Sequence, residues 1–401
     1  MKIGIVKETK TPPDERVPLS PMACKKIMDT YPNVEILVQS SDIRAFKDEE
    51  YTKLGLTVQE DVSECEVLMG VKEVKKDCLV ANKTYFFFSH TIKEQPYNRD
   101  LLLKIMEKNI QMIDYETLTK SSGGRLLGFG RYAGIVGAYN TFLAYGKKYK
   151  AYDLKPAHDC ENYKELKKEL SKVKLPFDYK IVITGDGRVG HGAMEIINEL
   201  KLKEASPSDF KNNTFNEPVF TQLSVLDYNE RKDKKDFVKR DFYTNPSEFN
   251  SSFMNYAKVA NMYIACHYWD ADAPFIFTRE DAKSKEFNLK IIGDISCDID
   301  GPVASTIRPS TIEDPLYGYL AETEAEVDFT NKNAIGIMAV DNLPCELPKD
   351  ASEDFGNEFI NKVLPSLAGE DSDTIIERAK MTKNGKLTEH YAYLQDYVDG
   401  N

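Results

Sequence analysis

Glycines recur at close spacing between residues 185 and 192, in the stretch ITGDGRVGHGA. Gly185, Gly187 and Gly190 follow the pattern G-x-G-x-x-G, with an apolar run before them and an apolar helical pattern from Ala193 onward. In such a strand–turn–helix unit, the glycines allow a tight turn and bring the backbone close to a pyrophosphate, which the N–H groups at the helix N-terminus bind. The spacing therefore indicates a nucleotide-binding turn, the alternative being an ordinary glycine-rich turn.

Further ionisable side chains that could carry chemistry are Arg16, Lys72, His90, Arg125 and Asp294. Most of them are cations or can become cations, which suits an amino or keto acid with several carboxylates. Arg125 could clamp a carboxylate, because it stands among glycines with no acid nearby in the sequence. Oxidation of an amine requires a base for the N–H proton, and an acid/base must then add water and expel the second amine. Lys72 and His90 fit these tasks, although each of them, like Arg125, could instead be a plain surface residue.

Three of these residues, Lys72, His90 and Asp294, lie at the ends of predicted strands. Strand patterns occur at 2–6, 34–38, 67–71, 85–89, 110–115, 259–265, 289–295 and 334–340, with helical patterns between the early ones. Such alternation predicts parallel sheets covered by helices, and ligands bind at the carboxyl ends of the strands in these sheets. Lys72, His90 and Asp294 therefore lie where a ligand is expected.

A glycine-rich stretch at 123–137 precedes a predicted buried helix and indicates a domain boundary near Gly130. The chain closes with two segments of helical pattern, 347–369 and 377–398, which are too few to form a domain and should pack back on the first one. We therefore predict an α/β fold of two Rossmann-like domains, with parallel sheets that flank a cleft and a C-terminal segment that returns to the first domain. The substrate domain would comprise 1–130 and 342–401, and the dinucleotide-binding domain 131–341.

Composition limits the classes of partner. The chain has 401 residues, a net charge of -12 and a pI near 5.2, which argues against a nucleic-acid or anionic-membrane partner. The start lacks the apolar core of a signal peptide and no later apolar run could span a bilayer, so we expect a cytoplasmic protein. Seven scattered cysteines without a C-x-x-C pair indicate reduced thiols and no metal site. The charged run 227–252 is predicted to be a solvated excursion, and the sequence does not indicate an oligomeric state.

Several motifs together resemble a known family. They are KETKTPPDERVPLSP, GVKE, TYFFFSHTIKEQ, GRLLGFGRYAG, ITGDGRVGHGA, GDISCDIDG and VDNLPCELPKDASEDFG. In this order they resemble the saccharopine dehydrogenase and lysine–2-oxoglutarate reductase family, within the alanine dehydrogenase and transhydrogenase superfamily. The phrases STIRPSTIEDPLYGY and NGKLTEHYAYLQ strengthen the likeness to the reductase domain of bifunctional aminoadipic semialdehyde synthase.

This resemblance implies roles for individual residues. Lys72 would accept the proton in the hydride step, and His90 would be the acid/base of imine hydration and C–N cleavage. The residues implied to hold saccharopine, or its lysine and 2-oxoglutarate halves, are Arg16, Gln95, Arg125 and Phe129. Arg188 and Val189 would touch the cofactor phosphates, and the strand ends with Asp294, Ser296, Met338 and Asp341 would flank the nicotinamide and the substrate.

The identity of the cofactor stays open between NAD and NADP. Ser206 stands where an acid is usual, and with Lys203 and Lys211 it would suit a 2′-phosphate. Gly124 also replaces an arginine of the saccharopine dehydrogenases. The predicted function is a reversible oxidoreductase that interconverts saccharopine with lysine and 2-oxoglutarate; the alternatives are an alanine dehydrogenase-like enzyme and a catalytically silent nucleotide-binding relative.

Overall fold

The structure, a computed structural model, describes residues 1–400. The chain divides into two compact units: unit 1 is Met1–Phe129 together with the chain from Pro348, and unit 2 is Gly130–Leu347. The second division falls after the predicted position 342, because residues 343–347 pack on unit 2, where Glu346 accepts a hydrogen bond of 2.7 Å from Asn140.

The strands are β1 Lys2–Ile5, β2 Glu35–Gln39, β3 Thr57–Gln59, β4 Val67–Met69, β5 Thr84–Phe87, β6 Gln111–Asp114, β7 Lys180–Thr184, β8 Lys203–Glu204, β9 Val219–Leu223, β10 Asn229–Arg231, β11 Phe249–Ser251, β12 Met262–Ala265, β13 Ile291–Asp294, β14 Leu316–Leu320, β15 Ala325–Val327, β16 Ile335–Met338, β17 Thr382–Lys383 and β18 Lys386–Leu387.

The α-helices are α1 Pro21–Thr30, α2 Asp48–Thr52, α3 Arg99–Glu107, α4 Gly130–Tyr149, α5 Tyr163–Glu169, α6 Arg188–Glu199, α7 Pro207–Asn212, α8 Val225–Tyr228, α9 Lys239–Thr244, α10 Met254–Ala257, α11 Arg279–Lys283, α12 Pro348–Lys362, α13 Leu364–Ala368, α14 Ile375–Ala379 and α15 Gln395–Asp399. Short 3₁₀ turns connect several of them.

Unit 1 is built on a parallel sheet with the strand order β3-β2-β1-β4-β5-β6. Successive residues of a strand face opposite sides, so Ile5 packs in one core with Phe355 of α12, whereas Leu68 packs in another with Leu102 of α3. The order reverses between β1 and β4, and in open parallel sheets ligands bind at the carboxyl ends of the strands beside such a reversal.

The C-terminal segment returns to unit 1, but not entirely as helix. Residues 348–368 are helical as predicted, whereas β17 and β18 within 377–398 form an antiparallel hairpin. Asn384 and Gly385 both have positive φ, the geometry of a two-residue hairpin turn. The helical prediction for this part was therefore wrong, because the Asn-Gly turn signal outweighs the helical spacing around it.

Unit 2 contains an eight-stranded sheet with the order β15-β14-β16-β13-β12-β7-β9-β8. The strands from β16 to β8 are parallel, and β14 and β15 are antiparallel additions at one edge. Helices α4 and α6 pack so closely that their contact has no room for side chains at two glycines. A Cβ on Gly134 would overlap the carbonyl oxygen of Val189, and a Cβ on Gly192 would overlap the carbonyl oxygen of Arg131. Among the glycines at 123–137, Gly134 thus serves close helix packing.

The charged run 227–252 is folded rather than a solvated excursion. It forms the β10–β11 hairpin with α9 between its strands, and Phe242 and Phe249 are buried in the core of unit 2. The prediction missed this because the buried aromatic residues are spaced among many charged ones. Within residues 1–400, no helix is both long and apolar enough to cross a bilayer, and no cluster of His, Cys, Asp and Glu suits a metal ion.

Candidate active site

A buried glutamate positions the backbone at Lys72 in unit 1. Glu8 follows β1, and its carboxylate accepts hydrogen bonds from the backbone N–H groups of Val71 (2.6 Å) and Lys72 (2.9 Å) after β4. Burial raises the pKa of Glu8 to about 7, although these two hydrogen bonds act in the opposite direction. The loop that carries Lys72 is thereby tied to the neighbouring strand at the point where the sheet order reverses.

Arg16 lies in the same part of unit 1. Its Nε and Nη2 donate to the two carboxylate oxygens of Asp14 at 3.0 and 2.6 Å, and its guanidinium lies 4.2 Å from the ring centroid of Phe129. Burial alone would raise the pKa of Asp14, but the charge and hydrogen bonds of Arg16 outweigh it and the pKa is lowered. The charge of Lys72 also lowers the pKa of Asp14.

His90 forms a second ionic cluster. It follows β5 in a left-handed backbone conformation, and its Nδ1 lies 2.6 Å from Oε1 of Glu73. The other oxygen of Glu73 accepts a hydrogen bond of 2.7 Å from Lys10. Burial would raise the pKa of Glu73, but the hydrogen bonds from His90 and Lys10 lower it to about 2. A carboxylate at Nδ1 orients the ring and leaves Nε2 as the nitrogen for proton exchange.

Three carboxylates of this site were not predicted: Glu8, Asp14 and Glu73. Asp14 and Glu73 stand close in sequence to a predicted cation, as in DER at 14–16 and KE at 72–73, whereas Glu8 is 64 positions from Lys72. Proximity of that kind is common in charged loops, so the sequence alone gave it no weight. The structure shows that these acids hold the cations and their loops in place.

The other predicted substrate residues of unit 1 lie in more exposed positions. The side chain of Gln95 is exposed, and its backbone carbonyl accepts a hydrogen bond of 2.6 Å from the hydroxyl of Tyr397. Arg125 is 56% exposed and forms an ion pair of 2.8 Å with Glu116. The reading that no acid lies near Arg125 was therefore wrong, because the turn between the two residues brings the buried Glu116 carboxylate to the guanidinium.

The glycine turn of unit 2 has the geometry that a dinucleotide requires. Gly185 has a φ of +96°, and a Cβ there would lie 2.5 Å from the carbonyl oxygen of Cys266. Gly187 caps the N-terminus of α6, and a Cβ on Gly190 would overlap the carbonyl oxygen of Gly185. Side chains are thus excluded at Gly185 and Gly190, whereas a Cβ on the exposed Gly187 would meet no atom, so the backbone at Gly187 is open to a phosphate.

A cavity of about 290 Å³ lies against this turn. It is lined by Gly185, Asp186, Gly187, Arg188, Val189, Val225, Tyr228, Tyr243, Cys266, His267 and Tyr268. The predicted cofactor residues of the turn, except the buried Gly190, therefore line one cavity, together with tyrosines that were not predicted. The ends of β7, β9 and β12 surround it, as expected of an adenosine site in a Rossmann-like sheet.

The structure corrects the position assigned to Ser206. β7 lies between β12 and β9, whereas β8, which precedes Ser206, is a two-residue edge strand on the far side of β9. Ser206 caps α7 and hydrogen-bonds Asp209 at 2.7 Å. The acid that follows the strand next to β7 is Asp227, whose carboxylate accepts from the backbone N–H of Ser224 at 2.8 Å. The inserted β8–α7 segment displaces this acid in the sequence, which explains the error.

The remaining predicted residues lie at the ends of β13 and β16, which are neighbours in the sheet. Asp294 is fully buried and accepts hydrogen bonds from the hydroxyls of Ser296 (2.6 Å) and Thr306 (2.7 Å), and burial raises its pKa to about 6. Its carboxylate thus positions the loop that carries Ser296. Met338 is buried at the end of β16, and Asp341 is exposed just beyond it.

A comparison with known protein families finds a match in the N-terminal part of the chain. Residues 4–136, which include Arg16, Lys72 and His90, match the family described as alanine dehydrogenase/PNT, N-terminal domain. This part of the chain is similar to that family. The mouse mitochondrial alpha-aminoadipic semialdehyde synthase is 30% identical over 429 aligned positions, which cover 95% of this chain and 46% of that protein. The chain therefore spans about half the length of the first curated relatives it matches.

Other relatives match from end to end. The saccharopine dehydrogenase [NAD(+), L-lysine-forming] of Yarrowia lipolytica is 25% identical, with 95% of this chain and 96% of that protein covered. Among solved structures, an L-alanine dehydrogenase superposes with a TM-score of 0.62 and 17% identity over 100% of this chain and 99% of that one. A transhydrogenase from Sinorhizobium meliloti superposes with a TM-score of 0.54 and 13% identity, with 97% of this chain and 99% of that one covered. The resemblance to these proteins and the predicted α/β fold are thus confirmed.

Proposed function

We propose that this protein is a pyridine-nucleotide-dependent oxidoreductase that acts on the C–N bond of saccharopine and interconverts it with L-lysine and 2-oxoglutarate. The observation that carries the proposal is the placement of Lys72, whose backbone Glu8 holds, and of His90, paired with Glu73, after the neighbouring strands β4 and β5. The end-to-end similarity to a protein named saccharopine dehydrogenase supports it.

Lys72 is assigned the proton transfer of the redox step. When a hydride leaves the carbon beside the secondary amine of saccharopine, the amine proton must pass to a base. The Glu8 contact holds the Lys72 backbone at the end of β4. We assign Arg16, with Phe129 beneath its guanidinium, and the more exposed Arg125 and Gln95 to the carboxylates of the substrate.

His90 is assigned the hydrolytic half of the reaction. Addition of water to the imine needs a base, and expulsion of lysine from the resulting carbinolamine needs an acid, so one group can serve both steps in turn. Glu73 fixes Nδ1, and the ring stacks near Phe88 with centroids 6.4 Å apart. Nε2 of His90 is therefore the atom to which we assign both proton transfers.

NAD is the proposed cofactor, with its pyrophosphate on Gly185, Gly187, Arg188, Val189 and Gly190. Bound NAD⁺ would supply the hydride acceptor. Asp227 stands after the strand beside β7, the position whose acid hydrogen-bonds the ribose 2′-hydroxyl in NAD-binding folds. A carboxylate there opposes a 2′-phosphate by like charge, so we expect NAD to bind more tightly than NADP. Met338, Asp341 and Ser296 are proposed to lie near the nicotinamide.

A competition between substrates tests the proposed function. NADH oxidation is followed with lysine plus 2-oxoglutarate, and in parallel with pyruvate plus ammonia. We expect turnover only with the first pair, and more with NADH than with NADPH. Turnover only with pyruvate would replace the proposal by an alanine dehydrogenase-like activity, and intact NADH binding without any turnover would indicate a silent relative.

A cytoplasmic location stays a prediction. The mouse relative is named mitochondrial, whereas the name of the Yarrowia lipolytica relative carries no location. Cell fractionation with an antibody against this chain would decide it, and recovery in the organelle fraction would contradict the prediction.

A further inference from the structure

The charged segment between β10 and β11 is fixed against unit 2 by its aromatic residues. Phe242 of α9 and Phe249 of β11 are 6% and 2% exposed, with ring centroids 5.2 Å apart. Charges on the outer side pair locally, as in the 2.8 Å contact of Arg231 with Asp233. Helix α9 is therefore held in a defined position, and its remaining side chains point to specific neighbours.

Two side chains of α9 contact the glycine turn or the cavity beside it. Lys239 forms an ion pair with Asp186, the residue between the first two glycines of the turn. Tyr243 lies four positions later, on the same face of the helix, and lines the cavity with a side chain that is 54% exposed. The cavity that Tyr243 lines is also lined by the residues of the turn from Gly185 to Val189.

The charge of Asp186 needs compensation if the turn binds a diphosphate. A carboxylate within the glycine turn repels the pyrophosphate of a dinucleotide, and this repulsion grows where the cavity excludes water. Lys239 brings a positive charge to that carboxylate, and the charge of Asp227 also acts on the same ammonium group. The inserted segment thus supplies the cation that the turn itself lacks at position 186.

We propose that α9 of the inserted segment is part of the nucleotide site. Lys239 neutralises Asp186 beside the pyrophosphate, and Tyr243 covers the adenosine end of the cavity with its ring. The ligand class is a dinucleotide with a diphosphate and an adenine, such as NAD or ADP-ribose. The inference rests on the proposed function only in that unit 2 binds a pyridine dinucleotide, and not on the identity of the substrate.

Calorimetric titration of the full chain with NAD⁺ and with ADP-ribose tests this inference. Lys239→Ala should raise the dissociation constants of both nucleotides about threefold to tenfold, since a partly exposed ion pair is lost. Tyr243→Ala should raise both dissociation constants about tenfold, because the ring no longer stacks on the adenine. In an Asp186→Asn background, Lys239→Ala should change little. The control is Lys235→Ala, which removes a lysine of the same segment whose side chain is 77% exposed and pairs with Asp233.

The outcomes separate the claims. If Lys239→Ala and Tyr243→Ala bind like Lys235→Ala, α9 lies outside the nucleotide site and the inference is overturned. If the Lys239→Ala loss is equally large with Asn at position 186, neutralisation of Asp186 is the wrong role. Binding by the wild-type chain without saccharopine turnover would refute the proposed function alone, whereas no binding of either nucleotide would overturn both. Circular dichroism confirms that each variant is folded.

Discussion

Buried carboxylates hold the reactive side chains of unit 1 in place. Glu8 accepts the backbone N–H of Lys72, and Glu73 binds Nδ1 of His90. The sequence placed Lys72 and His90 correctly after apolar strands, because strand ends can be read from local hydrophobicity. It did not identify the carboxylates that hold them, since the contact of Glu8 with Lys72 joins residues 64 positions apart and arises only when β1 and β4 become neighbours.

Replacement of Lys72 tests its role as a base. Lys72→Met should lower kcat by about 10²–10⁴-fold and leave NAD⁺ binding unchanged, because the substitution removes the proton acceptor in unit 1 but does not alter the glycine turn. Lys75→Met, an exposed lysine three positions later, is the matched control. Steady-state kinetics with saccharopine measure the effect, and equal rates for the two variants would remove Lys72 from the mechanism.

Replacement of Glu73 tests how His90 is oriented. Glu73→Gln keeps the shape but loses the charge that Nδ1 of His90 and the ammonium of Lys10 contact. We expect kcat to fall by at least about tenfold with little change in the NAD⁺ dissociation constant, since a misoriented imidazole is a poorer acid/base. The exposed Glu60→Gln serves as control. A kcat equal to that of the control would show that Glu73 has no part in positioning His90.

Glu8 gives a pH dependence of stability. Burial raises its pKa from 4.5 to about 7 in the folded protein, so the folded state binds the proton more tightly than the unfolded chain. Its stabilising contribution is complete below about pH 4.5 and is lost as the pH rises through 7, by on the order of 3 kcal/mol. Between pH 5 and pH 8, the free energy of unfolding measured with urea should therefore fall less for Glu8→Gln than for the wild type. Equal falls in the two proteins would show that the pKa of Glu8 is not raised in the folded state.

At the level of elements, the misplacement of Ser206 arises because the order of the strands in a sheet is not their order in the sequence. Ser206 follows β8, the next strand after β7 in the chain, but β9 is the strand that pairs with β7. The β17–β18 hairpin and the folded segment around α9 were missed for local reasons: the Asn384–Gly385 turn lies within a helical spacing, and the buried Phe242 and Phe249 are spaced among charged residues.

The contact between α4 and α6 makes a prediction at this scale. Gly134→Ala would place a methyl group against the backbone of Val189, which cannot move aside as a side chain can. Overpacking of this kind costs about 1–3 kcal/mol, which outweighs the better helix propensity of alanine. Urea unfolding measures the loss, with Gly124→Ala as control because its Cβ would meet open space. A Gly134→Ala protein as stable as the control would contradict the packing.

At the scale of the whole molecule, the sequence predicted more than at the scale of single residues. The α/β fold and the resemblance to alanine dehydrogenase and saccharopine dehydrogenase relatives were predicted from repeated strand–helix alternation and from motifs in a fixed order. Such signals average over many residues, so a local misreading at Ser206 or at 377–398 does not alter them. In the proposal, unit 1 supplies the acid–base groups and unit 2 the nucleotide turn.

The identity of the bond that is cleaved tests the central claim most directly. The full-length chain is incubated with saccharopine and NAD⁺, and the products are separated and identified by mass spectrometry. Our account predicts L-lysine and 2-oxoglutarate, each formed in equal amount to NADH. Formation of glutamate and an aldehyde, or no NADH with intact NAD⁺ binding, would contradict it.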